Sequence, residues 1–399
     1  MKNLNIKIAL IGNMNNNHFG IKRYLEGEGF QCDLYLFDNL PEHFLPINDT
    51  WEIDKHQGSI KKLNRGIPFF DFFKKKIDVD FKKYDICIGT GLTPYYFYRF
   101  GLKLDIFIPY GSDLYELPFK KKWSFESLKS FAKSLHHNFF IYKYQKEGIL
   151  ATSNIFTINH IKIIQDALLK LNRTTLPLST PMVFIEKPPS SIDFSSYLDL
   201  KKMNSFDFKI ISHSRQLWGE SRGLDSKGND KLIKGFSLFA KNNKKACLVL
   251  FEYGPSLEKS KQLINDLNIS DKVIWVKKMP RKLIYSLLNE FADMGADQFD
   301  TGYFGSTTYE LMAHGLPVLN YLNSTAEEFE KNIKRPLPPL LNVNSFEEIC
   351  DAMHKVFSND EFRSRLGKQA RDYFEKHLGR GAAEVYIKHI LKIYEIKNK

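Results

Sequence analysis

The sequence predicts an α/β protein made of two successive Rossmann-like arrays, and three observations carry that expectation. Short apolar runs recur and end at glycine, beginning with Ile6-Lys7-Ile8-Ala9-Leu10-Ile11 before Gly12, as buried parallel strands do. Segments of helical spacing follow such runs at intervals suited to βαβ units. The length, 399 residues with 43% hydrophobic content, is ample for two or three domains with cores of their own. A tract rich in Pro and Ser around Lys187-Pro188-Pro189-Ser190-Ser191 separates the arrays. It predicts one domain over 1–190, a linker near 186–206, a second domain over 206–380 and a last helix over 381–399.

Composition excludes several classes. The four cysteines (Cys32, Cys87, Cys247 and Cys350) are far apart, which argues against a disulfide scaffold or a zinc site and fits a reducing compartment. The first residues lack a signal-peptide pattern, and no apolar run approaches the length of a bilayer span. A cytoplasmic, soluble protein is expected. Net charge is +12, spread over both halves, which suits anionic partners such as sugar nucleotides, phospholipid head groups or nucleic acid. No recognisable nucleic-acid motif accompanies it.

In the first domain, the loop Gly12-Asn13-Met14-Asn15-Asn16-Asn17-His18 follows the first strand and precedes a helix. Asn15, Asn16 and His18 offer hydrogen-bonding groups suited to a polyhydroxylated ligand, or form an asparagine-rich turn. Cys32–Phe37, Asp85–Ile88 and Asp105–Ile108 predict further strands, with 40–82 irregular between the first two. The loop Gly89-Thr90-Gly91-Leu92-Thr93-Pro94 sits at a strand end. Pro109-Tyr110-Gly111-Ser112-Asp113 closes another strand, and Asp113 is either a ligand-facing carboxylate or the N-cap of the next turn. Residues 119–146 interleave lysines with aromatics, and Phe125, Leu128, Phe131, Leu135 and Phe139 recur at roughly helical spacing. They predict either the core face of a helix or a basic amphipathic surface for an anionic membrane. Residues 148–165 read as strand then helix.

The second domain opens with strand Phe208–Ser212 and a loop carrying Arg215, then Lys227-Gly228 ahead of a helix. Ala246–Phe251 and Lys272–Val276 predict strands, followed by a helix near 281–289 and a strand over Phe291–Ala296. The turn Gly302-Tyr303-Phe304-Gly305 then leads into Ser306, Thr307 and Thr308, which open a helix carrying Glu310. His314-Gly315 and Pro317 end it. Such a helix start presents free N–H groups and the positive end of the macrodipole, which suits a phosphate. Glu310, about one turn inside, is placed to accept hydrogen bonds from sugar hydroxyls. Ser345 and Glu348 form a capping box for a helix over 345–357, and helices near 360–377 and 381–397 finish the chain.

The stretch 291–321 resembles the nucleotide-sugar site of retaining GT-B glycosyltransferases, most closely glycosyltransferase family 4. That family reads Glu-x-Phe-Gly, four residues, then Glu-Ala-Met-Ala-x-Gly-x-Pro-Val. Phe304-Gly305, Glu310-Leu311-Met312-Ala313, Gly315 and Pro317-Val318 match it. The family's first glutamate falls on Gly302. A subset carries Asp-Gln a few residues earlier, where Asp297-Gln298 stands.

The resemblance implies a GT-B fold, two Rossmann-like domains facing a cleft with the donor on the C-terminal one and the last helix crossing back to the N-domain. It implies a retaining, metal-independent hexosyltransferase-like enzyme that moves sugar from a nucleotide diphosphate sugar to a glycan or lipid-linked acceptor, as in polysaccharide or glycolipid synthesis. Arg215 and Lys227 take the places of the cations that hold the donor diphosphate, assisted by Gly305, Ser306 and Thr307. Glu310 binds ribose or sugar hydroxyls, and Asp297 with Gln298 stands in for the missing glutamate. Asp113, in a segment similar to the family's His-Gly-x-Asp with Tyr110 at the histidine, lies on the acceptor side with Asn15, Asn16 and His18. No cofactor beyond the donor substrate and no nucleic-acid partner is implied, and peripheral contact with an anionic membrane stays open. A sugar-nucleotide epimerase or a non-catalytic sugar-nucleotide-binding protein of the same fold is the alternative.

Overall fold

The structure is a computed structural model and describes residues 5–38, 40–63, 78–123, 125, 127–157, 161–176, 180–219 and 226–399. The chain divides into two compact units, one of residues 1–184 with 380–399 and one of residues 185–379.

The first unit holds strands β1 (Lys7–Ile11), β2 (Gln31–Phe37), β3 (Ile60–Leu63), β4 (Ile86–Gly89), β5 (Ile106–Phe107) and β6 (Asn154–Ile155). Around them lie helices α1 (Asn17–Gly27), α2 (Thr93–Arg99), α3 (Ser112–Tyr115), α4 (Leu128–His136), α5 (Tyr142–Ala151) and α6 (Lys162–Lys170). The sheet order is β3-β2-β1-β4-β5-β6, with every pair parallel. Side chains alternate across a strand, so a sheet covered on both faces needs apolar residues at consecutive positions. The chain supplies them: Ile8 and Leu10 pack into one core with Phe19, Leu34 and Ile88, while Ala9 and Ile11 join another with Tyr35, Phe97 and Ile149.

The second unit contains α7 (Leu200–Asn204), β7 (Phe208–Ser212), α8 (Asn229–Asn242), β8 (Ala246–Phe251), α9 (Leu257–Asp266), β9 (Val273–Val276) and α10 (Arg281–Phe291). It continues with β10 (Met294–Ala296), α11 (Ser306–Ala313), β11 (Val318–Asn320), α12 (Ala326–Ile333), β12 (Leu341–Asn342), α13 (Phe346–Phe357) and α14 (Asp360–His377). Its parallel sheet runs β12-β11-β10-β7-β8-β9, the same topology as the first. Read by chain order within each unit, both sheets follow 3-2-1-4-5-6, the doubly wound arrangement. The last helix, α15 (Arg380–Lys397), places Tyr386 and Ile390 in the first unit's core, and Tyr386 lies edge-on to Phe156 at 5.3 Å.

Several boundaries differ from expectation. Phe291 ends α10 rather than opening a strand, and β10 is confined to Met294–Ala296. Residues 148–165 begin inside a helix, because α5 reaches Ala151 before the two-residue β6. The region 40–82 is not wholly irregular: it contains β3, an edge strand whose two central residues are lysines. An edge strand needs little burial, so Leu63 alone is deeply buried there while Lys61 pairs with Asp33 of β2. Lys74-Lys75-Lys76 lies outside the described residues.

Among the described residues no helix is long and apolar enough to cross a membrane, and no cluster of three or more His, Cys, Asp or Glu side chains is placed to hold a metal ion. The four cysteines are free thiols.

Candidate functional site

In a sheet of this topology, loops from adjacent strands part where the strand order reverses, and the opening lies at the strands' carboxyl ends. In the second unit that point falls between β7 and β10. The loop after β7 carries His213, Ser214 and Arg215, and the segment after β10 carries Asp297 and Gln298. Of the sequence-predicted donor residues, Arg215 lies on the first loop and Asp297 and Gln298 on the second, and Glu310, Lys227 and Gly305 bond to these loops.

Asp297, 1% exposed, links the two loops to α11. Its Oδ1 accepts from Ser214 Oγ at 2.8 Å, and its Oδ2 accepts from Thr308 Oγ1 at 2.8 Å and from the Gly305 N–H at 3.4 Å. The carboxylate therefore satisfies one end of α11 itself, while Ser306 stays exposed and Thr307 half-buried at the first turn. Gln298, 2% exposed, accepts from Lys227 Nζ at 2.5 Å and donates to the Tyr303 carbonyl. Lys227 thus has a neutral amide as its acceptor, whereas nearby Lys231 is ion-paired with Asp300 at 3.0 Å. Lys227 is held by its backbone as well: its N–H donates to Leu217 O at 2.7 Å and its carbonyl accepts from Phe299 N at 2.9 Å. Arg215 is half-buried on the neighbouring loop, and its charge reaches Tyr253.

Glu310 sits at the centre of a buried ionic cluster. Its Oε2 accepts from His213 Nε2 at 2.6 Å, and its Oε1 lies 2.8 Å from Arg281 Nε and 3.4 Å from the donating Tyr285 hydroxyl. Burial alone pushes the carboxyl's pKa up. The Arg281 guanidinium and the His213 hydrogen bond outweigh burial and hold it at about 2. The carboxylate is ionised at any physiological pH. His314, whose Nδ1 donates to the Glu310 carbonyl at 2.7 Å, is pushed down to about 4 by burial and is neutral at pH 7. Tyr253 anchors the same loop by donating to His213 O at 2.8 Å, and burial raises its phenol to about 12.

Gly302, where the family glutamate would stand, has φ of +72°, and a side chain there would run into Asn323. A glutamate at this position is disfavoured by the backbone itself. The turn is built for glycine.

The first unit's candidates gather at its own switch point, between β1 and β4. Asn16 is fully buried, with its amide donating to His43 O at 3.0 Å and its Oδ1 accepting from Asn13 Nδ2 at 2.8 Å. It holds the 42–45 turn in place, so the expectation of a ligand-facing amide at Asn16 does not match its position. Asn15 is exposed in a left-handed conformation (φ 50°), one of few that asparagine tolerates well. His18 is fully buried beside Tyr110, ring centroids 6.3 Å apart, and burial lowers its pKa to about 4. It is a neutral imidazole at pH 7.

Asp113 is 4% exposed and joins two strand-end loops. It accepts from the N–H groups of Gly111 (2.8 Å), Tyr110 (3.0 Å) and Gly91 (3.0 Å). Burial pushes its pKa up to about 6, against the downward pull of those amides. A carboxyl whose folded pKa exceeds its ordinary 3.8 costs stability as pH rises from about 4 through about 6, and less below that window. A carbon-13 titration of the Asp113 carboxyl is expected to show its midpoint near pH 6. A midpoint near 4 would mean that the three amides outweigh burial.

Sequence reasoning did not find the partners. His213 and Ser214 adjoin Arg215 and were visible only as its neighbours. Arg281, Tyr285 and Thr308 reach the site from α10 and α11 through the fold.

Residues 220–373 match the family described as glycosyl transferases group 1. No curated protein matches the chain. Among solved structures, HepE from Anabaena, in complex with UDP and glucose, is 14% identical with a TM-score of 0.58, covering 97% of this chain and 99% of that one. A TarM variant from S. aureus, bound to fondaparinux, alpha-GlcNAc-glycerol and UDP, is 12% identical with a TM-score of 0.57, covering 98% and 99%. A glycosyltransferase from Rickettsia africae is 13% identical with a TM-score of 0.56, covering 99% and 100%. The chain has the GT-B fold, two Rossmann-like α/β units with parallel sheets. The family match falls within its C-terminal unit.

Proposed function

We propose that the protein is a retaining glycosyltransferase that binds a nucleoside diphosphate sugar on its C-terminal unit and transfers the sugar to an acceptor hydroxyl on a glycan, free or lipid-linked. The observation that carries this reading is the convergence, at one switch point, of Lys227 on a neutral acceptor, Arg215 on the adjacent loop, the first turn of α11, and an ionised Glu310. A departing nucleoside diphosphate gathers negative charge. Lys227 and Arg215 stabilise that charge as fixed cations, Arg through its fork and Lys as a point charge. The amides of Ser306 and Thr307 add dipoles. Glu310, kept ionised, accepts hydrogen bonds from ribose or sugar hydroxyls. Retention follows a front-face course in which the leaving phosphate takes the acceptor proton, so no side chain is assigned as nucleophile and no metal is required. Asn15 and Asp113 are the acceptor-side candidates.

HepE and TarM hold UDP, which makes uridine the first base to test. Thermal stabilisation by UDP, GDP, ADP and CMP, alone and as sugar conjugates, is compared in wild type and Arg215→Ala. One diphosphate is expected to raise the melting temperature of the wild type, and the substitution is expected to abolish the shift. No shift with any of them at millimolar concentration would overturn the proposal. The glycine at 302, in place of the family's first glutamate, favours a second reading, a non-catalytic sugar-nucleotide-binding protein of the same fold. Donor binding without turnover would identify it.

A further inference from the structure

Helix α4 is turned the wrong way round for a surface helix. Its apolar stripe, Leu128, Phe131, Leu135 and Phe139 with the following turn, lies on one side of the helix. An ordinary surface helix buries such a stripe against the core. Here Leu128 is 86% exposed, Phe139 65% and Leu135 40%, whereas the polar residues Ser134 and His137 are buried. The expectation that these apolar residues form a core face is therefore overturned for Leu128, Leu135 and Phe139, and for Phe125, which is 79% exposed.

The segment ahead of the helix reinforces the outward stripe. Phe125 stacks on Phe131 with centroids 5.5 Å apart, and Trp123, 47% exposed, lies 5.9 Å from the same ring. This loop is fastened to the helix: Lys121 N donates to Asn138 Oδ1 at 2.8 Å, Asn138 Nδ2 donates to Lys121 O at 2.9 Å, and His137 Nε2 donates to Phe119 O at 2.7 Å. Ser127 and Ser130 close a capping box at the helix start. The exposed aromatics sit on a built platform.

Charge identifies what covers it. Residues 119–146 contain seven lysines and one glutamate, a net charge of +6 within 28 residues, half of the whole protein's +12. Lys121, Lys122, Lys129, Lys133 and Lys143 are exposed in this segment. Aromatic and aliphatic side chains flanked by lysines suit an anionic interface, where rings enter the acyl boundary and ammonium groups meet phosphates.

We propose that this face docks the protein on an anionic lipid bilayer, with Phe125, Leu128 and Phe139 inserted at the head-group boundary and the lysines on lipid phosphates. The inference stands independently of the donor site. It brings a hydroxyl acceptor carried on a lipid within reach of the enzyme proposed above.

The test is co-sedimentation of the full chain with vesicles of phosphatidylcholine containing about one-third phosphatidylglycerol, against pure phosphatidylcholine, with salt varied. Wild type is expected to bind the anionic vesicles and to release as salt rises. Leu128→Asp/Phe139→Asp is expected to weaken binding at least about tenfold, and Lys129→Glu/Lys133→Glu more than about tenfold, since each lysine contributes about fivefold. All four positions are solvent-exposed, and unchanged melting curves are the control for folding. The Trp123 emission, taken as the difference between wild type and Trp123→Phe because the chain has four tryptophans, is expected to shift to the blue with anionic vesicles and to stay put with neutral ones. Equal binding by wild type and both double variants would overturn the proposal. So would a wild type that ignores vesicles but forms a dimer that Leu128→Asp/Phe139→Asp separates, because a second copy of the chain would then be the occupant.

Discussion

Glu310→Ala is expected to cost the C-terminal unit about 3–5 kcal/mol of stability, more than any other single change at the site, because it breaks a buried ion pair. Arg281, 14% exposed at its side chain, has the Glu310 carboxylate 2.8 Å away, and His213 donates to the same group. Deleting the carboxylate removes the counter-ion 2.8 Å from a largely desolvated guanidinium and the acceptor of the His213 hydrogen bond. Glu310→Gln keeps an acceptor for His213 and removes only the charge, so a smaller loss is expected. Replacing both ends, Glu310→Leu with Arg281→Met, is expected to recover much of the alanine variant's loss, since two apolar groups need no compensation. Urea unfolding of these proteins, with Glu310→Leu and Arg281→Met singly, measures this; strictly additive losses in the two single and the double variants would show that the pair is not coupled. The same cluster sets a pH dependence. The folded pKa is about 2 against an ordinary 4.5, so the stabilisation is complete above about pH 5 and is lost as pH falls toward 2. The shift corresponds to about 3 kcal/mol, and Glu310→Gln is expected to flatten the wild-type slope between pH 5 and 3.

How much of this was legible in the sequence depends on which force shaped each feature. Strands such as β1 and β8 are covered on both faces, so their residues form unbroken apolar runs that announce themselves. The start of α11 and its stop at Gly315 are local, and local turn chemistry is written in adjacent residues. β3 and β12 escaped because a short edge strand needs few buried side chains, and lysines sit in the middle of β3. Periodicity revealed the α4 stripe but not its direction. Which side of a helix faces the protein is decided by its neighbours, and here Ser134 and His137 took the inward positions. The Glu310 cluster is the clearest limit. His213 and Glu310 are 97 positions apart, and only the parallel sheet brings the end of β7 beside α11. From the sequence, Asp297 is a stand-in for the missing glutamate. The structure shows it bonded to Ser214, Thr308 and Gly305, a set of partners that ties loop to helix.

Lys227→Ala is expected to lower turnover about 100- to 1,000-fold with a smaller loss of stability than Glu310→Ala, and the contrast with Glu310 is the informative part. The Lys227 ammonium donates to Gln298, a neutral amide, so its removal strands no charge. The hydrogen bond to Gln298 has a charged donor and is worth up to about 1.5–3 kcal/mol, less than the loss expected at Glu310, and Gln298 retains its bond to the Tyr303 carbonyl. In the reaction, by contrast, the cation is required where charge grows on the leaving diphosphate, and nearby Lys231 does not replace it, being committed to Asp300, at 3.0 Å, and to Asn344. The loss is expected mainly in kcat, because charge on the diphosphate is larger in the transition state than in the bound donor. Lys227→Arg keeps the charge but needs more room beside Gln298, and an intermediate rate is expected. Steady-state kinetics with the donor named by the thermal shifts, alongside melting curves, separates the two effects. Turnover within threefold of wild type would remove Lys227 from the diphosphate site. A collapse in melting temperature matching the loss of rate would make it a structural residue, and the burden of charge stabilisation would then fall on Arg215 and the first turn of α11.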